Sequence, residues 1–459
     1  PQYIFFPHRP LSVSVKSAAS LPRGGRRWLH NITTAHEVGG DSRGLGLLQG
    51  GLLFRCMPTI KPLDKLVTKA RDLRDHHRER HRPSGFAFAT ADRIDFFDKA
   101  HWDKVTSHDS LFLSRRYLRV LEDAGPDNLR QCYALIFRDK EPVAAIAAQS
   151  VTVSVARLRN KSAKNIPLDK LEEKMLVCGN LLSWGMHGIS FAPNVDHEPL
   201  WPAIAEAIYR LRRADKLFGD TAFVMVKDIP DAYASSATAL SRFSYRELET
   251  EPNMVLEISP KWKSYDDYLA SLNSKYRKQS KQIDKEVEAA GAILQDIKSD
   301  EIARNAEQLH ALYLQTHKNA RLRLVTLPVT FLPTLAAELG DDMRFTILKK
   351  GDALLGFVTT VKDRDTAVGY YIGFDRQANA EIPIYFRLLQ SVIGHAISLG
   401  CTRLSLGRTA LEPKARLGAR PDPMRVWIRH RIPMMNLIVR GLLHTIDDHE
   451  EPPERNPFK

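Results

Sequence analysis

The sequence predicts an α/β (α+β) protein made of two tandem domains, each a mixed, largely antiparallel sheet flanked by helices. Three observations carry that expectation. Residues 344–406 read as hairpin, strand, helix, strand. Residues 131–226 read in the same order, which points to an internal duplication. A chain of 459 residues, 43% hydrophobic and 26% charged, has the length and apolar content for two or three domains. The turn clusters of the two hairpins lie about 212 residues apart and the closing strands about 180, so the repeats differ by roughly 32 inserted residues. One large α/β domain with an unrelated second meander is the alternative reading of the same letters.

Taken in order, residues 1–56 form a tail rich in Gly, Ser and Arg. They hold seven Lys or Arg against Glu37 and Asp41, a net +5 that leaves +8 of the total +13 spread over the rest of the chain. That distribution makes no nucleic-acid stripe. The tail reads as an Arg-rich, acid-poor targeting peptide or, more plainly, as a disordered or non-native segment, with the functional chain starting near Met57. Residues 57–85 read as a charged helical lead-in. His77 and His81 are spaced to share one helix face, but the arginines between them favour a solvated charge run over a metal site. Cys56, Cys132, Cys178 and Cys401 are widely separated, so neither a disulfide framework nor a zinc site is indicated and a reducing cytoplasm is the simplest compartment. No run approaches the roughly 18 consecutive apolar residues of a membrane span.

The first domain is expected over 86–258. Its elements are a helix using Leu111, Leu113, Tyr117, Leu118 and Leu121, a hairpin at 131–137 and 142–149, strand-like sequence at 151–156 and 175–182, a helix at 199–216 and a strand at 221–226. Residues 157–174 are a polar, Lys-rich insertion. Residues 179–188, with three glycines, Trp184 and His187, read either as a ligand pocket or as a strand end with a Gly-rich turn. Asp196 and Glu198 are placed to cap the following helix.

The second domain is expected over 259–446, with an extended tail at 447–459. Ser264 and Asp267 form a capping box, and the helix they open changes character at Lys275, Arg277, Lys278 and Lys281, which no acid interrupts. Arg277, Lys281 and Lys285 fall on one face, either a solvated surface or one that attracts phosphate. Helices at 302–317 and 330–339 lead to the hairpin at 344–348 and 353–361, a strand at 367–372, a helix at 382–396 ended by Gly400, a strand at 402–406 and a charged loop at 407–420. Residues 425–431 alternate as a strand, and 434–446 read as a closing helix.

This order of elements resembles the GNAT acyltransferase fold. Three motifs resemble in particular its Fem-type and BioF-like branch, whose members carry two GNAT-like halves: Tyr370-Tyr371-Ile372-Gly373-Phe374-Asp375, the helix end Ala396 to Gly400, and Leu406-Gly407-Arg408 followed by Lys414-Ala415-Arg416-Leu417-Gly418-Ala419. The resemblance covers roughly residues 260–440. It implies an N-acyltransferase that joins an acyl-CoA donor directly to an amine, with no covalent acyl-enzyme. The absence of a Ser or Cys nucleophile motif agrees with that. Ordinary GNAT enzymes place a glycine-rich cradle for pyrophosphate at the crossover helix. Residues 375–383 have no glycine and end in Pro383, which resembles the branch members that use aminoacyl-tRNA.

Acyl transfer to an amine needs a base, donors for the oxyanion and an acid for the leaving group. Tyr370 and Tyr371 are expected to alternate across their strand, one facing the cleft as acid or donor. Asp375 and Glu381 flank the helix start as candidate bases, and Lys414 supplies fixed charge in the last loop. Arg277, Lys278, Lys281, Arg376, Arg408 and Arg416 are the candidate phosphate binders. Tyr371, Asp375 and Lys414 are expected on the rim of one groove. The acceptor is a small-molecule or peptide amine, and no metal is expected. Alternatives are an aminoacyl-tRNA-dependent peptidyltransferase acting on a cell-wall precursor or peptide, and a non-catalytic GNAT-like binding protein.

Overall fold

The structure, a computed structural model, describes residues 82–154, 172–318, 323–432 and 455–459, with 71, 72, 74, 75 and 78 before them. The tail at 1–56, the His77 and His81 pair, nearly all of the Lys-rich insertion and the closing helix at 434–446 lie outside the described residues.

The first half begins with β1 (Ala87–Ala91), α1 (Lys99–Thr106) and α2 (Arg115–Ala124), the last capped by the Ser114 hydroxyl. The predicted hairpin is β2 (Leu129–Arg138) and β3 (Glu141–Ser154), and it reverses where Asp139 and Lys140 take the left-handed conformation that a tight hairpin turn requires. Of the strand predicted at 151–156, the first four residues are the end of this long β3 and the last two lie outside the described residues. Then follow β4 (Glu172–Cys178), β5 (Ile189–Phe191), α3 (Leu200–Ala214), β6 (Thr221–Pro230), α4 (Asp231–Ala237), β7 (Arg246–Glu249) and β8 (Asn253–Glu257). Pro199, not Asp196, occupies the N-cap of α3. Asp196 instead accepts the Glu198 N–H in a local turn at 3.1 Å.

In the second half the predicted capping box of Ser264 and Asp267 is present, but it opens a short helix, α5 (Tyr265–Ser271). The chain leaves the helix at Leu272 and restarts, with Asn273 as cap, in the basic helix α6 (Ser274–Ala289). β9 (Ile293–Asp296), α7 (Ser299–Arg304), α8 (Ala306–His317) and α9 (Phe331–Leu339) lead to β10 (Met343–Lys350), β11 (Ala353–Asp363) and β12 (Thr366–Phe374). The crossover helix α10 (Ile384–Ser398) follows Pro383 and is ended by Gly400 at φ 67°; β13 (Arg403–Ser405) comes next. The predicted charged loop contains a short helix, α11 (Leu411–Arg416), before β14 (Arg420–Asp422) and β15 (Met424–His430).

The strands form two sheets of one design. The first runs β1-β2-β3-β4-β6-β15-β7, and the second β9-β10-β11-β12-β13-β8-β14. In each, four antiparallel strands meet a fifth in parallel, β4 with β6 and β12 with β13, as a crossover helix dictates. The sixth strand of each sheet comes from the other half of the chain. β8 crosses into the second sheet beside β13, and β15 returns to the first between β6 and β7. The expected boundary at 258/259 therefore does not separate the sheets, because β8 precedes it and yet belongs to the second.

Three large apolar cores result, beside a small cluster of Val151, Val153, Met175 and Val177. α3 covers one face of the first sheet around Trp201, Ile204 and Ile208, and α10 covers one face of the second around Leu388, Val392 and Ile393. The inner faces share the third, in which Phe112, Tyr117 and Leu121 from the first half meet Phe331, Leu335, Phe357 and Tyr370 from the second. Fully burying a large side chain is worth about 1.5–3 kcal/mol, so this shared core ties the halves strongly.

Candidate active-site cleft

β12 carries two of the residues expected to act, and its register explains where they go. The pairing with β11 shifts between Val358, opposite Ile372, and Thr360, opposite Gly369, so Tyr370 and Tyr371 together oppose Thr359. This is a β-bulge, and it cancels the alternation expected from a regular strand. Both rings consequently lie in the core between the halves, 4.6 Å apart. The Tyr370 hydroxyl bonds that of Tyr117 at 2.7 Å, which also accepts from Asn180 at 2.9 Å. Tyr371 donates to the Leu182 carbonyl at 3.1 Å, and its N–H is taken by the Thr359 hydroxyl at 2.8 Å. Burial drives both phenols well above their ordinary pKa, so they remain protonated.

The other expected residues are also engaged. The Asp375 carboxylate accepts the Ala378 N–H at 2.9 Å and so caps the turn before α10. Arg376 and Glu381 are exposed. Lys414 is buried and donates to the Gly407 carbonyl at 3.0 Å; burial lowers its pKa to about 7. Arg408 crosses to the buried Asp228 of the first half, which Lys227 also pairs. Tyr371, Asp375 and Lys414 thus have separate sets of partners, and none of them lines the cleft that α6, α10 and α11 enclose.

What the structure does bring together is a cleft of about 680 Å³ among α6, the first half of α10 and α11. Lys275, Lys278 and Glu286 from α6 and Arg416 from α11, which also pairs Glu412 at 2.8 Å, put charge on its lining, positive on balance, while Tyr276, Ile283, Phe386 and Leu417 give it apolar walls. At its base Gln390 is 1% exposed. Its amide N–H₂ donates to the Ser280 carbonyl at 3.2 Å, and its Oε1 is buried with no hydrogen-bond partner among the described residues. A buried acceptor left unpaired costs free energy, and a ligand N–H or O–H would recover it.

Of the expected phosphate binders, Lys278 and Arg416 line this cleft. Arg277 folds back toward the Ala270 carbonyl at 3.5 Å, and Lys281 is exposed outside the lining. The face of α6 that matters is the one through Lys275, Lys278 and Gln282, not the expected one through Arg277, Lys281 and Lys285. Gln390 and Lys275 carried no distinguishing signal in the sequence: one is a polar residue on an apolar helix, the other one cation in a run.

The end of the described chain braces this region. Pro457 accepts the Asn273 N–H at 2.9 Å, Arg455 pairs Glu412 at 3.0 Å, and Phe458 bridges Leu272 and packs on Trp262 and Tyr268. Residues 455–459, expected simply as extended, are therefore docked.

Residues 179–188 prove to be an excursion between β4 and β5, both of which pair with β3. They face the second half. The Trp184 indole N–H donates to the Ser405 hydroxyl at 2.7 Å, at the last paired residue of β13 with β12, and its ring lies against Gly407. The Gly185 N–H donates to Asp228 at 3.0 Å. His187 accepts or donates at the Ser183 hydroxyl at 2.7 Å, and burial lowers its pKa to about 3, so its 3.7 Å approach to Asp363 is not an ion pair at neutral pH. Neither a simple turn nor an open pocket describes it.

Cys132, Cys178 and Cys401 are buried thiols, and among the described residues no three His, Cys, Asp or Glu side chains gather as a metal site. No described helix is long and apolar enough to cross a membrane.

These features are four antiparallel strands joined in parallel to a fifth by a helix that walls a cleft, a mixed α/β arrangement. Residues 274–415, from α6 through α11, match the family model of the acetyltransferase (GNAT) domain. Over that stretch the chain carries a match to the GNAT domain. No curated protein matches it. Similar solved structures include a FemX crystal structure, 10% identical, covering 71% of this chain and 92% of that one with a TM-score of 0.43. A tandem GNAT protein from the clavulanic acid biosynthesis pathway is 11% identical, with 75% and 98% covered and a TM-score of 0.44. The C-terminal domain of a putative lysylphosphatidylglycerol synthetase from Agrobacterium fabrum is 11% identical, with 75% and 96% covered and a TM-score of 0.42.

Proposed function

We propose that the protein is an N-acyltransferase whose second half binds the anionic part of an acyl donor in the α6–α10–α11 cleft and passes the acyl group to an amine by direct attack. The observation that carries this is that Lys275, Lys278 and Arg416 line one cleft with Gln390, whose Oε1 is buried with no partner among the described residues. Phosphates suit the cations, an apolar or aromatic body suits Tyr276 and Phe386, and an N–H or O–H suits Gln390. In the transfer the amine nitrogen bonds the acyl carbon, the bond from that carbon to the donor breaks, and the ammonium proton passes to a base while the leaving group takes up a proton. We take Glu381, exposed before α10, as that base; Glu286, which lines the cleft, accepts from the Gln282 amide at 3.0 Å. Tyr370, Tyr371, Asp375 and Lys414, each engaged within the protein, hold the surrounding structure instead.

Acyl-CoA is the first donor to test. Aminoacyl-tRNA is the second reading, favoured by one observation: α10 begins at Pro383, whose nitrogen has no hydrogen to offer a pyrophosphate. Purified protein is given acyl-CoA and aminoacyl-tRNA separately with a panel of amines. Thiol release coupled to amide formation supports the first donor, RNase-sensitive transfer the second, and binding without transfer a non-catalytic protein. Lys278→Glu combined with Arg416→Ala should raise the donor KM by roughly tenfold or more, since losing one charge-assisted contact is worth about 1.5–3 kcal/mol. Glu381→Gln should lower kcat and leave that KM unchanged. A double variant with wild-type KM removes the cleft from the reaction.

A further inference from the structure

The short turn at Asp215–Phe218, which continues from α3, presents apolar side chains to solvent. Leu217 is 89% exposed, Phe218 61%, and Tyr209 on α3 38%. Single exposed apolar residues are ordinary; two adjacent ones on one rigid projection, with a third on the helix that leads into it, are not. The rigidity comes from below. Asp215 is buried, and its carboxylate receives the Ser150 hydroxyl at 2.7 Å, Lys174 at 2.7 Å and Arg130 at 3.4 Å. Lys174 also donates to the Asp215 carbonyl at 2.8 Å. A buried ion pair is costly to assemble, and this one fixes a tip that buries little apolar surface of its own.

Cations ring the tip. The Arg212 and Arg213 guanidinium groups lie 5.3 and 5.9 Å from the centre of the Tyr209 ring, and Arg212 is near enough to Asp220 to lower its pKa. The Lys216 side chain is 74% exposed and reaches Asp220 only at 4.0 Å. An apolar point with net positive charge beside it is complementary to an anionic lipid surface, where hydrocarbon lies just beneath phosphate. It is a poor match for nucleic acid. Leu217 has no ring to stack, and the Arg130 guanidinium already covers the Phe218 ring at 3.3 Å, where a base would lie.

We infer that this tip docks the protein on an anionic bilayer surface, with Leu217 and Phe218 entering the acyl boundary and Arg212, Arg213 and Lys216 meeting the headgroup phosphates. The site is independent of the cleft. The full chain is floated with vesicles of phosphatidylcholine alone and of phosphatidylcholine mixed with phosphatidylglycerol, and it should bind only the mixture. Leu217→Ser should weaken binding roughly tenfold and Leu217→Trp should strengthen it. Each of Arg212→Glu and Arg213→Glu should weaken it by roughly fivefold or more. Unchanged thermal midpoints show that these exposed positions do not affect folding. The inference is overturned if the mixed vesicles are not bound, if Leu217→Ser binds them as wild type does, or if that substitution instead abolishes tRNA binding or dissolves a dimer.

Discussion

At the residue scale, Lys414 and Asp363 are ionisable groups held where charge is disfavoured, and each gives stability a pH slope of known sign. Folded Lys414 loses its proton near pH 7, whereas in the unfolded chain a lysine keeps it to about pH 10.4. Across that window the unfolded state binds more protons, so stability rises with pH. Below it both states are protonated and the full cost of the buried ammonium remains. Urea unfolding from about pH 7 to 9.5 should show this rise in the wild type and a flatter profile in Lys414→Met. Asp363 behaves oppositely. Burial raises its pKa to about 6 although it accepts from the Leu111 N–H and the Ser110 hydroxyl at 2.6 and 2.8 Å. The protonated form is favoured in the fold, so its contribution is present below about pH 4 and lost as pH rises through 6. Asp363→Asn should remove that fall, which thermal midpoints at pH 4, 5 and 6 would register.

At the scale of elements, Gly188 and Gly400 separate two reasons for a glycine. Gly400 sits in open space at φ 67° after α10, and alanine there meets only backbone strain, about 1 kcal/mol. Gly188 closes the excursion against the start of that same loop, and a Cβ on it would come within 2.6 Å of the Cys178 carbonyl carbon and overlap the Gly179 backbone. Gly188→Ala should therefore cost more, about 2–3 kcal/mol, because backbone cannot yield as a side-chain tip does. Denaturant midpoints of the two variants would order them. What the sequence made legible at this scale was local: the hairpins, α10 and the Ser264 capping box follow from periodicity, turn residues and caps within a few positions. The bulge at Tyr370 and Tyr371 was not, since it depends on which β11 residue lies opposite. The cleft was half legible. Lys278 and Arg416 stood out as cations, but the face of α6 that turns inward is settled by α10 and α11, and the unpaired Gln390 oxygen exists only once Ser280 lies over it.

At the scale of the whole molecule, the reciprocal exchange of β8 and β15 makes each half incomplete alone. A fragment ending at 258 lacks the strand that pairs both β6 and β7, and its own β8 has no sheet to join. The complementary fragment carries β15 without a partner and leaves β13 and β14 unbridged, since both pair with β8. Unpaired edges of that kind invite aggregation, and the shared core of Phe112, Tyr117, Phe331 and Tyr370 would open to water in either piece. No pattern within one segment of sequence announces such pairing, which is why the repeat was readable and the exchange was not. Fragments 82–258 and 259–459 expressed singly should be insoluble or unfolded, yet co-expressed they should co-purify as a one-to-one complex, because each holds the strand the other needs. Circular dichroism and hydrogen exchange would report it. A well-folded, monomeric first fragment with protected β6 amides would show that β15 is dispensable there, and that the two sheets are joined by little more than the core between them.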